Sequence, residues 1–173
     1  MPKKEYVPEI YDPIKLAYLA GIIDGEGCYS IYKVAPAKYN RFQTASFRAS
    51  LCVSNTRKEL MDWLDENFKN LNQPHKAYMR TTLKKQSRHD KMIYEWTIQS
   101  FRLVDICKQV LPYLVIKKKQ CELILAFRET FDGINNFGSH RGADPKILER
   151  REELRLAIRV LNAKTFFRPI HTD

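Results

Sequence analysis

Long apolar runs are missing from this 173-residue sequence. No stretch approaches the roughly 18 residues that a membrane-spanning helix needs. The N-terminal MPKKEYVPEI also has no apolar segment of the secretory type. Both absences predict an intracellular protein without a membrane partner, and they leave open whether it belongs to a prokaryotic cytoplasm or to an organelle such as a chloroplast or mitochondrion. Hydrophobic residues make up 44% and charged residues 29%, which is typical of one compact domain spanning 1–173.

Cysteines are few, and their spacing fits no known scaffold. The four are Cys28, Cys52, Cys107 and Cys121. They form no C-x-x-C pair and lack the spacing of a zinc site or a small disulfide framework. We therefore predict free thiols in packed or half-packed positions.

Acidic residues are absent from Cys28 to Lys58, and Asp90 is the only one between His75 and Lys91. Lysine and arginine are frequent in both segments. Over the whole chain, 30 Lys and Arg stand against 20 Asp and Glu, a formal charge of +10. One such segment is commonly a solvated face, but two of them favour a polyanionic partner.

Both basic segments alternate between apolar and polar residues, the pattern of strands with one buried face. Residues 46–54 pair with 29–34 in one predicted hairpin, and 78–84 pair with 92–99 in a second. Apolar residues would face the core, while hydroxyl-bearing and cationic residues face outward. The sequence predicts an α+β fold with a one-sided antiparallel sheet.

Helical patterns lie between and around these hairpins. Asp12 and Pro13 would begin a helix running to about Asp24, where two glycines end it. Thr56 would cap a second helix ending near Asn70. Three more are predicted over 101–111, stopped by Pro112, over 120–131 and over 145–161. The core would span about 10–131, with a helical extension over about 144–162.

The first predicted helix has two apolar faces. One carries Leu16, Leu19, Ala20 and Ile23. The other carries Ile14, Ala17, Gly21 and Gly25, which are mostly small. Small residues let another backbone approach closely, so we expect both faces to be buried. A second copy of the helix across a two-fold axis would fill the small face, and burial inside a monomer is the alternative.

The turn Asp24-Gly25-Glu26-Gly27 brings carboxylates and carbonyl oxygens together, which suits Mg²⁺ or Ca²⁺ but also fits a simple helix end. The nine residues from Leu19 to Gly27, LAGIIDGEG, resemble the signature of the LAGLIDADG homing endonucleases. The order of predicted elements resembles the αββαββα core of that family. Residues 111–120 are also similar to the segment that precedes a late helix in its single-motif members.

The resemblance implies a curved, saddle-shaped sheet and a homodimer, because one motif is present. It also implies a site-specific endonuclease that hydrolyses both strands of a long, nearly palindromic DNA site. The products would carry short 3′ overhangs, and the biological setting would be intron homing. Mg²⁺ is the implied cofactor, with Mn²⁺ or Ca²⁺ substituting in binding. The alternatives are an intron RNA maturase and a non-catalytic DNA-binding regulator with the same fold.

Four residues receive roles from the resemblance. Glu26 would ligate the metal and be catalytic, and the Gly25 carbonyl would complete the coordination. Lys117 would lie near the scissile phosphate, and Asn55 would organise solvent. Ordinary alternatives stay open: Lys117 as one member of a basic cluster, and Asn55 as a polar cap. Asp24 would either ligate metal or fix helix packing. Ile14, Ala17 and Gly21 would form the dimer interface.

The outward sheet faces would read DNA in the major groove. Arg48 and Arg80 are the candidates for guanine contacts. Other predicted DNA-binding residues are Ser30, Tyr32, Lys38, Ser46, Ser50, Tyr78, Thr82, Lys84, Glu95 and Thr97. For any one of them, simple exposure on a strand is the alternative.

Overall fold

A computed structural model gives the fold and describes residues 8–35, 46–68, 93–131 and 144–163. The chain order is α1 (Pro13–Glu26), β1 (Gly27–Val34), β2 (Ser46–Asn55), α2 (Lys58–Asn67), β3 (Tyr94–Gln99), α3 (Ser100–Val110), a 3₁₀ turn (Leu111–Tyr113), α4 (Lys118–Glu129) and α5 (Pro145–Ala163). Among these helices, none has the length and apolar character to cross a membrane.

The three strands form an antiparallel sheet in the order β1-β2-β3. Gly27 lies opposite Val53, and Ser50 lies between Ser30 and Gln99. The predicted alternation is confirmed, because the residues facing the helices are buried: Tyr29, Ile31, Phe47, Leu51, Val53, Trp96 and Ile98. The α+β class is therefore confirmed. The predicted strand 78–84 lies outside the described residues.

The predicted end of α1 and the predicted cap of α2 were wrong. α1 continues through Gly25 to Glu26, because the N–H of Gly27 still donates to the Ile23 carbonyl before the chain becomes extended. A Cβ on Gly27 would lie 2.7 Å from that carbonyl oxygen, so the close approach requires glycine there. Thr56 does not cap α2. The Asn55 side chain instead accepts from the Arg57 N–H, and the helix begins at Lys58.

The later helices differ from prediction by at most two residues at their ends. α3 stops at Val110, and Pro112 lies inside the 3₁₀ turn that follows. α4 begins two residues before Gln120, since the backbone N–H of Cys121 already donates to the Lys117 carbonyl. α5 begins at Pro145 as predicted and runs to Ala163.

The core lies between the sheet and α1, α3 and α4. The inner stripe of α1 is buried as predicted, with Leu19, Ala20 and Ile23 fully inaccessible. From α3 and α4, Leu103, Ile106 and Ile124 pack into the same cluster. Burying such side chains contributes about 1.5–3 kcal/mol each relative to exposure. This packing fixes the C-terminal end of α1 against the beginning of β1.

α5 packs along β1 and against α4. The Asn162 amide donates to the Tyr29 carbonyl oxygen at 2.9 Å. Near the other end of β1, the Glu152 pKa is lowered by a hydrogen bond from Arg155, with the charge of Lys33 adding to the shift. α5 therefore runs antiparallel to β1, and its C-terminal end lies next to the beginning of that strand.

Arg151 joins α5 to the end of α4. Its guanidinium donates to the Thr130 hydroxyl at 2.9 Å and to the Thr130 carbonyl at 3.0 Å. It also lies 3.7 Å from the centre of the Phe131 ring. The residue is only 5% exposed. We expect Arg151→Met to lower the free energy of unfolding by about 1–3 kcal/mol, because it leaves a partly buried carbonyl without its donor.

The neighbouring Arg150 provides a matched control. It makes only an exposed ion pair with Glu153, so Arg150→Met should change the unfolding free energy by less than about 1 kcal/mol. Urea denaturation of both variants tests this difference. Equal effects would show that Arg151 contributes no more than a surface cation.

Candidate active site

The candidate site is built on the C-terminal end of α1. Asp12 fixes the other end, since its side chain accepts from the N–H groups of Ile14 and Lys15. Glu26 is the last residue of the helix and is exposed. Among the described residues it has no hydrogen-bond or ion-pair partner. A free carboxylate thus stands where the last carbonyls of the helix concentrate negative potential.

Lys117 extends its side chain to the same helix end. Its ammonium donates to the carbonyl oxygens of Ile23, at 2.8 Å, and Asp24, at 2.7 Å. Burial lowers the Lys117 pKa, while the negative charges of Asp24 and Glu26 oppose that shift. The sequence placed Lys117 and Glu26 in one site, and the structure brings them together at the end of α1.

Asp24 anchors the segment that carries Lys117. Its carboxylate accepts from the backbone N–H groups of Val115 at 2.8 Å, Ile116 at 3.2 Å and Lys117 at 2.8 Å. Both carboxylate oxygens are therefore used in packing α1 against the N-terminus of α4. Of the two roles left open for Asp24, the structure favours fixing this contact over binding metal.

Removing the Asp24 charge should loosen this contact. Asp24→Asn replaces one acceptor oxygen with an amide that cannot accept from N–H groups. We expect the free energy of unfolding at pH 7 to fall by about 1–2 kcal/mol, since charge-assisted hydrogen bonds are lost at a partly exposed site. Asp12→Asn is the control, because asparagine caps helices as well as aspartate does. Urea denaturation at pH 7 should separate the two variants.

The same carboxylate gives stability a pH dependence. Burial raises the Asp24 pKa, but the hydrogen bonds from residues 115–117 and the charge of Lys117 outweigh it, so the pKa lies below the ordinary value of an aspartate. A depressed folded-state pKa stabilises the protein above the unfolded-state value, and this stabilisation is lost as the pH falls through the folded-state pKa. The deficit of Asp24→Asn should therefore shrink below about pH 4. A deficit independent of pH would contradict the assignment.

Asn55 lies at the end of β2, paired with Tyr94 of β3. Its side-chain oxygen accepts from the Arg57 N–H at 2.9 Å. This contact closes a local turn before α2 and is not a helix cap, because Arg57 is the N-cap residue and has no side-chain capping bond. It uses the carbonyl oxygen of the amide, and the structure gives no contact between Asn55 and Glu26 or Lys117. The catalytic role of Asn55 remains a prediction.

The outer face of the sheet carries the predicted DNA-binding residues in cross-strand rows. Tyr32 lies opposite Arg48, and Ser46 and Arg48 are exposed. Ser50 has the predicted orientation but is only 7% exposed, because it is flanked on both sides and bonded to the Ser30 hydroxyl at 2.8 Å. Glu95 and Thr97 of β3 are half-buried on this face. Lys38, Tyr78, Arg80, Thr82 and Lys84 lie outside the described residues.

The small-residue face of α1 is open in the protomer. Ile14 is 80% exposed, and Ala17 and Gly21 are exposed beside it. A Cβ added to Gly21 or Gly25 would meet nothing within 4 Å. The alternative of burial inside a monomer is not found, because no other described part of the chain covers this side; burial by a second copy stays a prediction.

Sequence analysis missed that Cys28 is exposed on the outer face of the sheet. Cys52 is half-buried, and Cys107 and Cys121 are buried, as predicted. Cys28 and Cys52 lie directly opposite each other in β1 and β2. The alternation of the strands could have shown this exposure, because Cys28 and Cys52 lie two residues from Ser30 and Ser50 and so share their face of the sheet. Burial raises the Cys28 pKa, with Cys52 adding to the shift and Lys117 opposing it.

One protomer does not assemble a metal cage within its described residues. No cluster of three or more histidine, cysteine or acidic side chains occurs there. The carboxylate of Glu26 and nearby backbone carbonyls are oxygen donors, the type that Mg²⁺ prefers. The donors fit a hard divalent cation in kind, but one protomer supplies only one free carboxylate at this end of the helix.

Solved structures share this architecture. The DNA complex of the homing endonuclease I-CvuI superposes with a TM-score of 0.62, at 20% identity over 86% of this chain and 82% of that one. The archaeal intron-encoded homing endonuclease I-Vdi141I in complex with DNA gives 0.60, at 14% identity over 86% and 84%. The LAGLIDADG homing endonuclease I-SmaMI, bound to cleaved DNA, gives 0.54 at 19% identity.

The chain has the LAGLIDADG homing endonuclease fold. The sequence itself matches no protein-family model and no curated protein. The shared fold confirms the family resemblance stated for residues 19–27. This chain covers 97% of its own length but only 54% of I-SmaMI, so it corresponds to about half of that longer LAGLIDADG protein.

Proposed function

We propose that the protein is a site-specific DNA endonuclease of the LAGLIDADG homing endonuclease family, acting as a homodimer. The observation that carries the proposal is the meeting of two charged side chains at the end of one helix. Glu26 ends α1 without a hydrogen-bond or ion-pair partner among the described residues, and the Lys117 ammonium binds the carbonyl oxygens of Ile23 and Asp24 there. The fold supports it, because the similar structures of I-CvuI and I-Vdi141I are complexes with DNA. The nonapeptide LAGIIDGEG places Glu26 at the acidic position of the family motif.

The open face of α1 supports the homodimer. Glycine inside a helix costs about 1 kcal/mol relative to alanine, and no contact within the described part of the protomer requires Gly21 or Gly25. Close approach of a second α1 explains both glycines and the exposed Ile14 and Ala17. The chain also spans most of I-CvuI but only half of I-SmaMI, as a single structural repeat would. Two protomers would then bring two Glu26 carboxylates near one axis.

We propose Mg²⁺ as the cofactor, with Mn²⁺ or Ca²⁺ substituting in binding. Glu26 from each protomer and the Gly25 carbonyl would hold it. When bound, such an ion activates water and neutralises charge on a phosphodiester undergoing hydrolysis. One protomer offers a single free carboxylate here, so the pair of Glu26 residues completes the donor set only in the dimer.

Lys117 would act on the phosphate side of this site. Its hydrogen bonds to the Ile23 and Asp24 carbonyl oxygens and the nearby charges of Asp24 and Glu26 favour the cation, against the effect of burial. An ammonium there would stabilise negative charge that develops during strand cleavage. Asp24 would hold Lys117 in place through the 115–117 backbone, and Asn55 would organise solvent at the end of β2.

The outer sheet face would bind DNA in the major groove. Arg48 and Ser46 offer exposed donors, with Tyr32, Ser30 and Thr97 beside them. A dimer carries twice the formal charge of +10, so binding should weaken steeply with salt. Two sheets related by a two-fold axis would read a nearly palindromic site. Cleavage across the minor groove would leave short 3′ overhangs, and bending of the centre would add indirect readout.

A cleavage selection tests the proposal. Plasmids with random or genomic inserts are incubated with the protein and Mg²⁺, or with EDTA, and the new ends are sequenced. We expect ends with 3′ overhangs at one nearly palindromic site, in the Mg²⁺ arm alone. Binding of DNA or of intron RNA without any cut would contradict the endonuclease assignment and favour a regulator or a maturase.

A further inference from the structure

Cys28 and Cys52 form a cross-strand thiol pair beside the candidate active site. They are directly opposed in the antiparallel register of β1 and β2, and their side chains share the outer face of the sheet. Cys28 is exposed and Cys52 is half-buried. Neither thiol takes part in the proposed hydrolysis, and neither packs in the core. Their position next to each other therefore calls for a separate explanation.

The geometry of opposed residues matches the geometry of a disulfide. Facing Cα atoms in antiparallel strands lie about 4.5–5.5 Å apart, within the usual 4.4–6.8 Å of bridged cysteines. Their Cβ atoms lie about 4.5–5.5 Å apart on one face, against about 3.8 Å in a disulfide. Bridging would thus draw the two strands together by roughly 1 Å without reversing any side chain.

The Cys28 side chain is held at this position by α5. The Asn162 amide nitrogen lies 3.8 Å from the Cys28 sulfur while it donates to the Tyr29 carbonyl oxygen at 2.9 Å. On the neighbouring strand, the Cys52 sulfur lies 3.6 Å from the Ser54 hydroxyl. Both thiols are therefore kept on the outer face by contacts on their own sides of the pair.

We infer that Cys28 and Cys52 form a reversible dithiol–disulfide site that reacts with low-molecular-weight disulfides such as glutathione disulfide. One cysteine thiolate attacks the glutathione disulfide, forms a mixed disulfide and releases one glutathione. The opposed cysteine then attacks the mixed disulfide, closes the Cys28–Cys52 bond and releases the second glutathione. The protein loses two electrons and two protons, and one glutathione disulfide is reduced to two glutathione thiols.

The bond would also affect hydrolysis, a consequence that rests on the proposed function. Cys28 follows Glu26 by two residues. Gly27 lies between them and packs closely against the Ile23 carbonyl, so its backbone cannot absorb a shift. A shift of β1 toward β2 would therefore displace Glu26. Displacements of about 1 Å in a catalytic group can reduce rates by about a hundredfold.

The test begins with the full-length, reduced protein exposed to glutathione disulfide in its folded state. Free thiols are then alkylated with N-ethylmaleimide, and the protein is analysed by intact mass and by non-reducing peptide mapping. We expect loss of two alkylation sites, no retained glutathione and one linked peptide pair containing Cys28 and Cys52. Full alkylation of both cysteines would overturn the inference, and so would linkage of either one to Cys107, to Cys121 or to a second chain.

Single variants separate a pair from two independent thiols. In Cys28→Ser or Cys52→Ser the remaining thiol has no resolving partner, so each variant should retain one glutathione. Cys107 and Cys121 are buried and serve as internal controls that should stay reduced. A wild-type protein that retained glutathione as stably as the single variants would overturn the inference.

Activity provides a second readout. The DNA cleavage rate of the oxidised protein should fall by on the order of a hundredfold and return after dithiothreitol. The double variant Cys28→Ser/Cys52→Ser should cut DNA at the same rate before and after treatment with glutathione disulfide. A linked Cys28–Cys52 peptide in a protein that cuts no DNA in either state would support the dithiol site and refute the proposed function.

Discussion

Glu26→Gln should abolish DNA cleavage while specific DNA binding stays near the wild-type affinity. The substitution keeps the size and shape of the side chain but removes the only unpartnered carboxylate at the end of α1 among the described residues. Without it, the proposed Mg²⁺ loses a ligand from each protomer. We expect the cleavage rate to fall by on the order of a thousandfold or more, because charge stabilisation at the reacting phosphate is lost.

The measurement pairs single-turnover cleavage with equilibrium binding in Ca²⁺. Glu122→Gln is the matched control, since Glu122 is an exposed glutamate on α4 with the same change in charge and size. It should cut at the wild-type rate. If Glu26→Gln lost binding in parallel with cleavage, Glu26 would have a structural role and the metal-ligand assignment would be wrong.

Gly21→Leu should dissociate the dimer without unfolding the protomer. Nothing lies within 4 Å of a Cβ at this position, so the protomer itself tolerates a side chain. Two α1 helices packed through small residues do not. Each dimer would contain the substitution twice, at about 1–3 kcal/mol of overpacking each, so dimerisation should weaken by about 2–6 kcal/mol.

Sedimentation equilibrium gives the dissociation constant of the dimer, and circular dichroism shows whether the protomer stays folded. Glu149→Leu provides the comparison, because it adds the same side chain at an exposed position on α5. It should leave the dimer intact. An unchanged mass for folded Gly21→Leu would show that this face of α1 is not the interface.

Local patterns predicted most of the fold. The alternation of residues 46–54 predicted the buried and outward faces of β2, and Asp12-Pro13 predicted the first residue of α1. These features depend on residues that are close along the chain, so they can be predicted from a single sequence. The small-residue face of α1 could also be predicted, because glycine and alanine recur at helical spacing along one side of the helix.

Contacts between distant residues could not be predicted in the same way. Asp24 binds backbone N–H groups that are 91 to 93 positions away, so its packing role depends on where α4 lies. The end of α1 at Glu26 depends on the close approach of Gly27 to Ile23. The sequence analysis assumed that the first glycine ends the helix, and so it placed the end two residues too early. The opposition of Cys28 and Cys52 depends on the register of β1 against β2, which the sequences of the two strands leave open.

The central claim is that two protomers jointly form one cutting centre through their Glu26 residues, and mixed dimers test it most directly. Wild-type and Glu26→Gln chains with different affinity tags are co-expressed, and dimers containing one of each are purified through both tags. Cleavage of a plasmid with one target site is then followed in Mg²⁺. We predict that the mixed dimer cuts neither strand, so the plasmid stays supercoiled, while the doubly tagged wild-type dimer linearises it. Nicking of one strand by the mixed dimer at near the wild-type rate would show that each protomer holds a complete site, and would contradict the claim.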